Sequence, residues 1–182
     1  MGLAKIPHEI LTADADEHSD VFTPSKPEEY VVSIARLKNA AVCDRIRGNA
    51  DYDGAVVISA DTIVYDPVTD SPIGKPKDAD DARRILRSLS GGVHKVITGV
   101  VVRDTASGGS SEFAEVTEVH FRTLSDDEID AYVESGDPLD KAGAYGMQSG
   151  GCIFVERIVG DYFNVVGLPI CRLNEELKKL AR

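Results

Sequence analysis

Cysteine is scarce in this sequence: Cys43, Cys152 and Cys171 are the whole supply, an odd number with no C-x-x-C spacing. That pattern supports neither a disulfide framework nor a cysteine zinc site, and buried thiols are expected. His8, His18, His94 and His120 stand at no ligand interval such as H-E-x-x-H. Long apolar runs are absent too; none nears the roughly 18 to 20 residues of a bilayer span. The N-terminus lacks the basic then apolar order of a secretory signal, so a cytoplasmic protein with no membrane partner is expected. Basic residues are outnumbered, 20 against 31 acids, for a formal charge of −11. This argues against a nucleic-acid partner, whose backbone is gripped by clustered Lys and Arg. A small phosphorylated ligand remains compatible, because a few lysines and a divalent cation neutralise it locally. Neither G-x-G-x-x-G nor a P-loop is present, which removes support for dinucleotide and Walker-type sites. Repeats and interdomain linkers are missing as well, so residues 1–182 read as one domain.

What is present is a well-punctuated α/β pattern, a mixed α+β class, with 42% hydrophobic residues to build an ordinary core. Val31, Ile34, Leu37, Ala41, Val42 and Ile46 recur at helical spacing over 27–47, with Ser25 as the expected cap and Glu28 and Glu29 in the first turn. A buried strand follows over 55–65, then a helix over 78–89 capped by Asp78 and stopped at Ser90-Gly91-Gly92. Segments 94–103 and 112–122 are β-rich and flank a Gly/Ser turn, which predicts an antiparallel hairpin. Ser125 and Glu128 form an S-x-x-E capping box for a helix that Gly136 ends. A strand over 153–158 and a terminal amphipathic helix over 169–180 complete the pattern.

Three patches carry candidate chemistry. The first is Asp61, a carboxylate interrupting an apolar, β-branched strand, with Lys75 beyond it in Gly74-Lys75-Pro76. Such an acid is costly unless paired or metal-bound, though a turn-capping Asp is the commoner occurrence. The second is 140–151, where glycines 143, 146, 150 and 151 surround Asp140, Lys141, Tyr145 and Gln148. It fits a ligand loop and a tightly packed connection equally well. The third is the acidic group Asp14, Asp16 and Glu17, suited to a hard cation or simply to solvent.

The ordered set "SADTIVYD", "IGKPKDADDARRILRSLSGGVHKVITGV" and "FRTLSDDEIDAYVESGDPLDKAGAYGMQSGGCIFVERIVGDYFNVVGLPI" closely resembles the Maf (septum-formation) nucleoside triphosphate pyrophosphatases, from about Gly2 to the C-terminus. Within them, "DKAGAYGMQ" with "FNVVGLP" looks like the branch acting on dTTP and UTP. The resemblance implies an elongated Maf/ITPase-like fold with a mixed central sheet, flanking helices and a cleft between two lobes, often as a homodimer. It also implies hydrolysis of an NTP to NMP and pyrophosphate.

The resemblance places Asp61 on the family's proton acceptor and Thr62 and Gln148 on specificity positions. Glu17 matches the acid of a D-E pair, Lys38 the lysine of the long helix, Lys75 that of the G-K-P turn, and Asp140-Lys141 the D-K pair. The implied work is division of charge: Glu17 and Asp61 on Mg²⁺ or Mn²⁺, and Lys38, Lys75 and Lys141 on the phosphate chain.

One departure stands out. The family's S-x-S-P-R-R segment, with its first strand and helix, does not precede Gly2. A start site assigned too late is the favoured expectation over a truncated gene, which would lose an interior strand and a phosphate-site arginine. Two other functions compete: a catalytically impaired nucleotide-binding or cell-division regulator, and a phosphatase using Asp61 as nucleophile. The latter usually needs a second acid two residues on, where this chain has Ile63.

Overall fold

The computed structural model describes residues 1–2, 5–13, 15, 22–23 and 25–180. Helix α1 spans Pro27–Ile46 with Glu28 and Glu29 in its first turn. Its cap position is Lys26, which makes no side-chain capping bond, and not Ser25. Ser25 has φ 63°, outside the extended backbone from which a serine caps a helix. The other expected starts are present: Asp78 accepts from the Asp81 amide at 2.8 Å to open α2 (Ala79–Leu89). Ser125 and Glu128 cap α3 (Asp126–Glu134) reciprocally. Helix α4 is a single turn, Tyr162–Val165, and α5 spans Ile170–Leu180.

The strands are β1 (Val56–Asp66), β2 (Ser71–Ile73), β3 (Val93–Asp104), β4 (Ser110–Phe121) and β5 (Val155–Val159), in the sheet order β2-β1-β3-β4-β5. β1 and β2 pair antiparallel with Val64 opposite Ile73, and β4 and β5 with Val119 opposite Ile158. The β3–β4 hairpin is closed by Asp104 N–H donating to the Gly109 carbonyl at 2.9 Å. Between β1 and β3, Thr62 meets Thr98 while Thr105 N–H reaches the Ala55 carbonyl, which also fixes an antiparallel register. The expected α/β architecture is therefore present, with antiparallel rather than mixed pairing among the described strands.

The chain divides into two compact units, and β1, β3 and β4 each run through both. Unit 1 comprises 1–62, 98–115 and 167–182; unit 2 comprises 63–97 and 116–166. In unit 1, Leu173 of α5 is fully buried with Val100, Val102 and Phe113, and Ile58 and Ala60 pack on this cluster. The opposite side of the same strands takes α1 at very close range. A Cβ on Gly99 would lie 2.4 Å from the Val31 carbonyl, so only glycine lets helix backbone touch strand backbone there. In unit 2, Ile85, Leu86 and Leu89 of α2 and Ile129, Tyr132 and Val133 of α3 share one core with Phe121, Tyr145 and Phe154.

The cysteines depart from expectation. Cys43 is half-buried, but Cys152 and Cys171 are exposed, one on the 3₁₀ turn Gly150–Phe154 and one on α5.

Candidate active site

Strand alternation explains the polar positions in β1. Residues 58 and 60 face the α5 side and are apolar, whereas Ser59 and Asp61 face α1 and find polar partners on it. Ser59 Oγ donates to the Ala35 carbonyl at 2.7 Å, and Lys38 Nζ donates to Asp61 Oδ1 at 2.8 Å. Both ends of that ion pair are sheltered, with 22% of the lysine and 15% of the aspartate side chain exposed. Asp61 is thus a paired carboxylate in the interior of a strand and not a turn cap.

A third bond secures the register. Asn39 is fully buried, and its Nδ2 donates to the carbonyls of Val57 at 3.1 Å and Val101 at 3.4 Å. One helix residue thereby grips two strands, and its neighbour Lys38 is held over Asp61. Sequence reasoning missed Asn39, although it continues the i, i+4 row Val31, Ala35, Asn39, where a polar side chain on an apolar stripe asks for a buried partner.

Thr62 points to the other face of the sheet. Its Oγ1 lies 2.9 Å from Oγ1 of the fully buried Thr98 and 3.5 Å from the Gly167 carbonyl. The structure therefore joins Asp61 to Lys38, and Thr62 to Thr98, but does not bring the Thr62 hydroxyl to the Asp61 carboxylate. Glu17, with Asp14 and Asp16, lies outside the described residues.

Unit 2 carries the remaining candidates. Lys75 is exposed on its turn, and the preceding Gly74 carbonyl accepts from Gly143 N–H at 3.1 Å, which ties the G-K-P turn to the glycine-rich loop. On that loop Lys141 Nζ contacts Asp140 Oδ1 at 2.7 Å and Asp137 at both its carbonyl, 2.7 Å, and Oδ1, 3.1 Å. These contacts hold the Lys141 charge firmly positive, with Asp140 the larger influence. Gln148 is exposed. The aromatic core beneath includes His94, 1% exposed, whose Nε2 lies 2.9 Å from the Tyr145 hydroxyl. Burial pushes the imidazole down to about 4. Its Nδ1 has no partner among the described residues, which is cheapest when Nε2 carries the proton and donates to Tyr145.

Among the described residues no cluster of three or more His, Cys, Asp or Glu side chains could hold a metal. Asp61 offers one hard oxygen donor group, which fits the Mg²⁺ mode in which substrate phosphates and water fill the remaining positions. No described helix is long and apolar enough to cross a membrane.

The family described as Maf-like protein matches residues 1–180. A dTTP/UTP pyrophosphatase of Alkaliphilus metalliredigens (strain QYMF) is 51% identical over 172 residues, 94% of this chain and 84% of that protein. Proteins of the same name from Bacillus cereus (strain B4264) and Geobacillus sp. (strain WCH70) are 44% and 43% identical. They cover 97% and 98% of this chain, and 86% and 90% of their own lengths.

Proposed function

The chain belongs to the Maf-like protein family, and from that premise we propose that it hydrolyses dTTP and UTP to the monophosphate and pyrophosphate. The observation that carries this reading onto named residues is the sheltered Lys38–Asp61 pair, an acid in a strand interior matched to a single helix lysine. In the proposed reaction the oxygen of water attacks the α-phosphorus, the bond to the α,β-bridging oxygen breaks, and pyrophosphate leaves. Asp61 accepts the proton of the attacking water. Lys38 and Lys75 place positive charge against the phosphate chain, and Lys141 adds charge from its loop. Such positioning and neutralisation are the main contributions a protein makes to phosphoryl chemistry.

A bound Mg²⁺ or Mn²⁺ would withdraw charge from the phosphate oxygens and acidify coordinated water, with Asp61 and Glu17 as its protein ligands. Gln148, exposed on its turn, is assigned to recognition of the pyrimidine, and so is Thr62, whose hydroxyl would have to leave Thr98 to take part. The reading includes a cytoplasmic location, a homodimer and no nucleic-acid partner, the last in keeping with a net charge of −11.

The purified chain with Mg²⁺ and dTTP or UTP is expected to release pyrophosphate and the monophosphate, separable by ion-exchange chromatography. Asp61→Asn is expected to lower kcat by about 10³-fold while the circular dichroism spectrum is unchanged. Release of inorganic phosphate in place of pyrophosphate would overturn the reading.

A further inference from the structure

Residues 132–151 of unit 2 close on themselves around one carboxylate. Asp137 Oδ2 accepts from the Tyr132 hydroxyl at 2.5 Å and from Ser149 Oγ at 2.6 Å. Each of those hydroxyls also holds one end of the four-residue turn Gly146–Ser149. Tyr132 Oη accepts from the Gly146 amide at 3.1 Å, while Ser149 N–H and Oγ both reach the Gly146 carbonyl at 3.3 Å. The circuit therefore runs from Gly146 N through Tyr132, Asp137 and Ser149 back to the Gly146 carbonyl. Gln148 is the third residue of the turn so closed, and its side chain is exposed.

The circuit is anchored and tightly filled. Tyr132 projects from α3 into the unit 2 core, its ring 5.0 Å from that of Phe154 at 88°. A Cβ on Gly151 would fall 2.9 Å from the Gly146 nitrogen and 3.0 Å from the Tyr132 oxygen, so the loop has no room for a side chain there. Lys141 closes the remaining side by pairing with Asp137 Oδ1. The Ser149 and Tyr132 hydroxyls hold the Asp137 carboxyl below its usual range, and burial with the Asp137 contact pushes the Tyr132 phenol up to about 12. Donor and acceptor therefore keep their roles throughout the neutral range.

A carboxamide can accept from N3–H and donate to O4 of uracil in one orientation, and that pair of bonds forms only where the turn holds the amide at the right distance and plane to the base. We propose that Asp137, acting through Tyr132 and Ser149, is the positioning residue that fixes the Gly146–Ser149 turn and with it the presentation of Gln148 to a uracil or thymine edge. This rests on the reading of Gln148 as a base-contacting residue, and it adds three residues that touch no reacting atom.

The test uses the full chain and the non-hydrolysable α,β-methylene analogues of UTP and CTP, with dissociation constants measured by calorimetry. Ser149→Ala and Tyr132→Phe are each expected to weaken the UTP analogue roughly tenfold and the CTP analogue by no more than about twofold, the signature of one misplaced hydrogen-bonding group. Ser149→Thr, which keeps the hydroxyl, is expected to restore the preference. Combining Ser149→Ala with Gln148→Ala is expected to weaken the UTP analogue no further than Gln148→Ala alone, since both changes remove one interaction. Equal weakening of both analogues, additive losses in the double variant, or a wild-type chain that binds the two analogues equally would each overturn the proposal. Hydrolysis is read separately: pyrophosphate release from UTP with selectivity unchanged in Ser149→Ala leaves the enzymatic reading standing and removes this one. Inorganic phosphate release with the Ser149→Ala loss of selectivity present overturns the enzymatic reading and leaves this one standing.

Discussion

Unit 1 and unit 2 hold their candidate residues by different means. In unit 1, Asp61 and Lys38 sit on a long strand and a long helix whose backbones are locked together by Gly99, Ser59 and Asn39. In unit 2, Lys141 and Gln148 sit on short turns whose shape is set by side chains converging on Asp137. The first arrangement suits an acid whose position must not drift. The second suits a surface that selects a ligand, because a loop network can be altered residue by residue without disturbing a sheet.

Three changes probe that contrast. The largest effect is expected from Gly99→Ala, whose methyl would meet the Val31 backbone at 2.4 Å. A loss of at least about 3 kcal/mol in urea unfolding is expected, because neither backbone can yield cheaply. A variant as stable as the wild type would show that the α1 register is not set there.

Next is Asn39→Ala, which leaves the Val57 and Val101 carbonyls without their amide donor and is expected to cost about 2 kcal/mol. Its sharper readout is kinetic: kcat should fall with KM nearly constant, as Lys38 slips relative to Asp61, whereas KM rising with kcat unchanged would separate Asn39 from that pair.

The third effect concerns the unit 2 aromatic core and is read against pH. His94 is ordinarily protonated near 6.5 but is held at about 4 in the folded chain. Between those values the unfolded chain binds the extra proton, so stability rises with pH through the window and is fully present above 6.5. Relative to pH 7, about 2 kcal/mol should be missing at pH 5, and the urea midpoints of His94→Phe should lose that component of the slope.

Legibility in the sequence followed the range of the interactions. Asp78 and the Ser125–Glu128 box act within one helical turn, and both are where the residue pattern places them. The Lys38–Asp61 pair spans 23 residues, so an interrupted strand signalled that a partner existed without naming it. β2 and the 3₁₀ turns between 137 and 154 have no periodicity to read, being too short to show one. By composition the glycine-rich stretch fits a ligand loop and tight packing equally well. The packing is explicit at Gly151, while the proposed recognition role rests on Gln148. Ser25 failed as a cap and Cys152 and Cys171 as buried thiols because backbone conformation and helix facing, not residue type, decided them.

The division of β1, β3 and β4 between the units has a consequence for biosynthesis. The segments of unit 2 are all translated once Val166 has been added, whereas unit 1 gathers three stretches of chain separated by unit 2 sequence. Its cluster of Val100, Val102 and Phe113 remains open until Leu173 arrives. Such distant closures slow folding, and an uncovered apolar strand face is a target for chaperones while it waits. The half of the molecule that carries Asp61 is therefore the half whose completion depends on α5 leaving the ribosome.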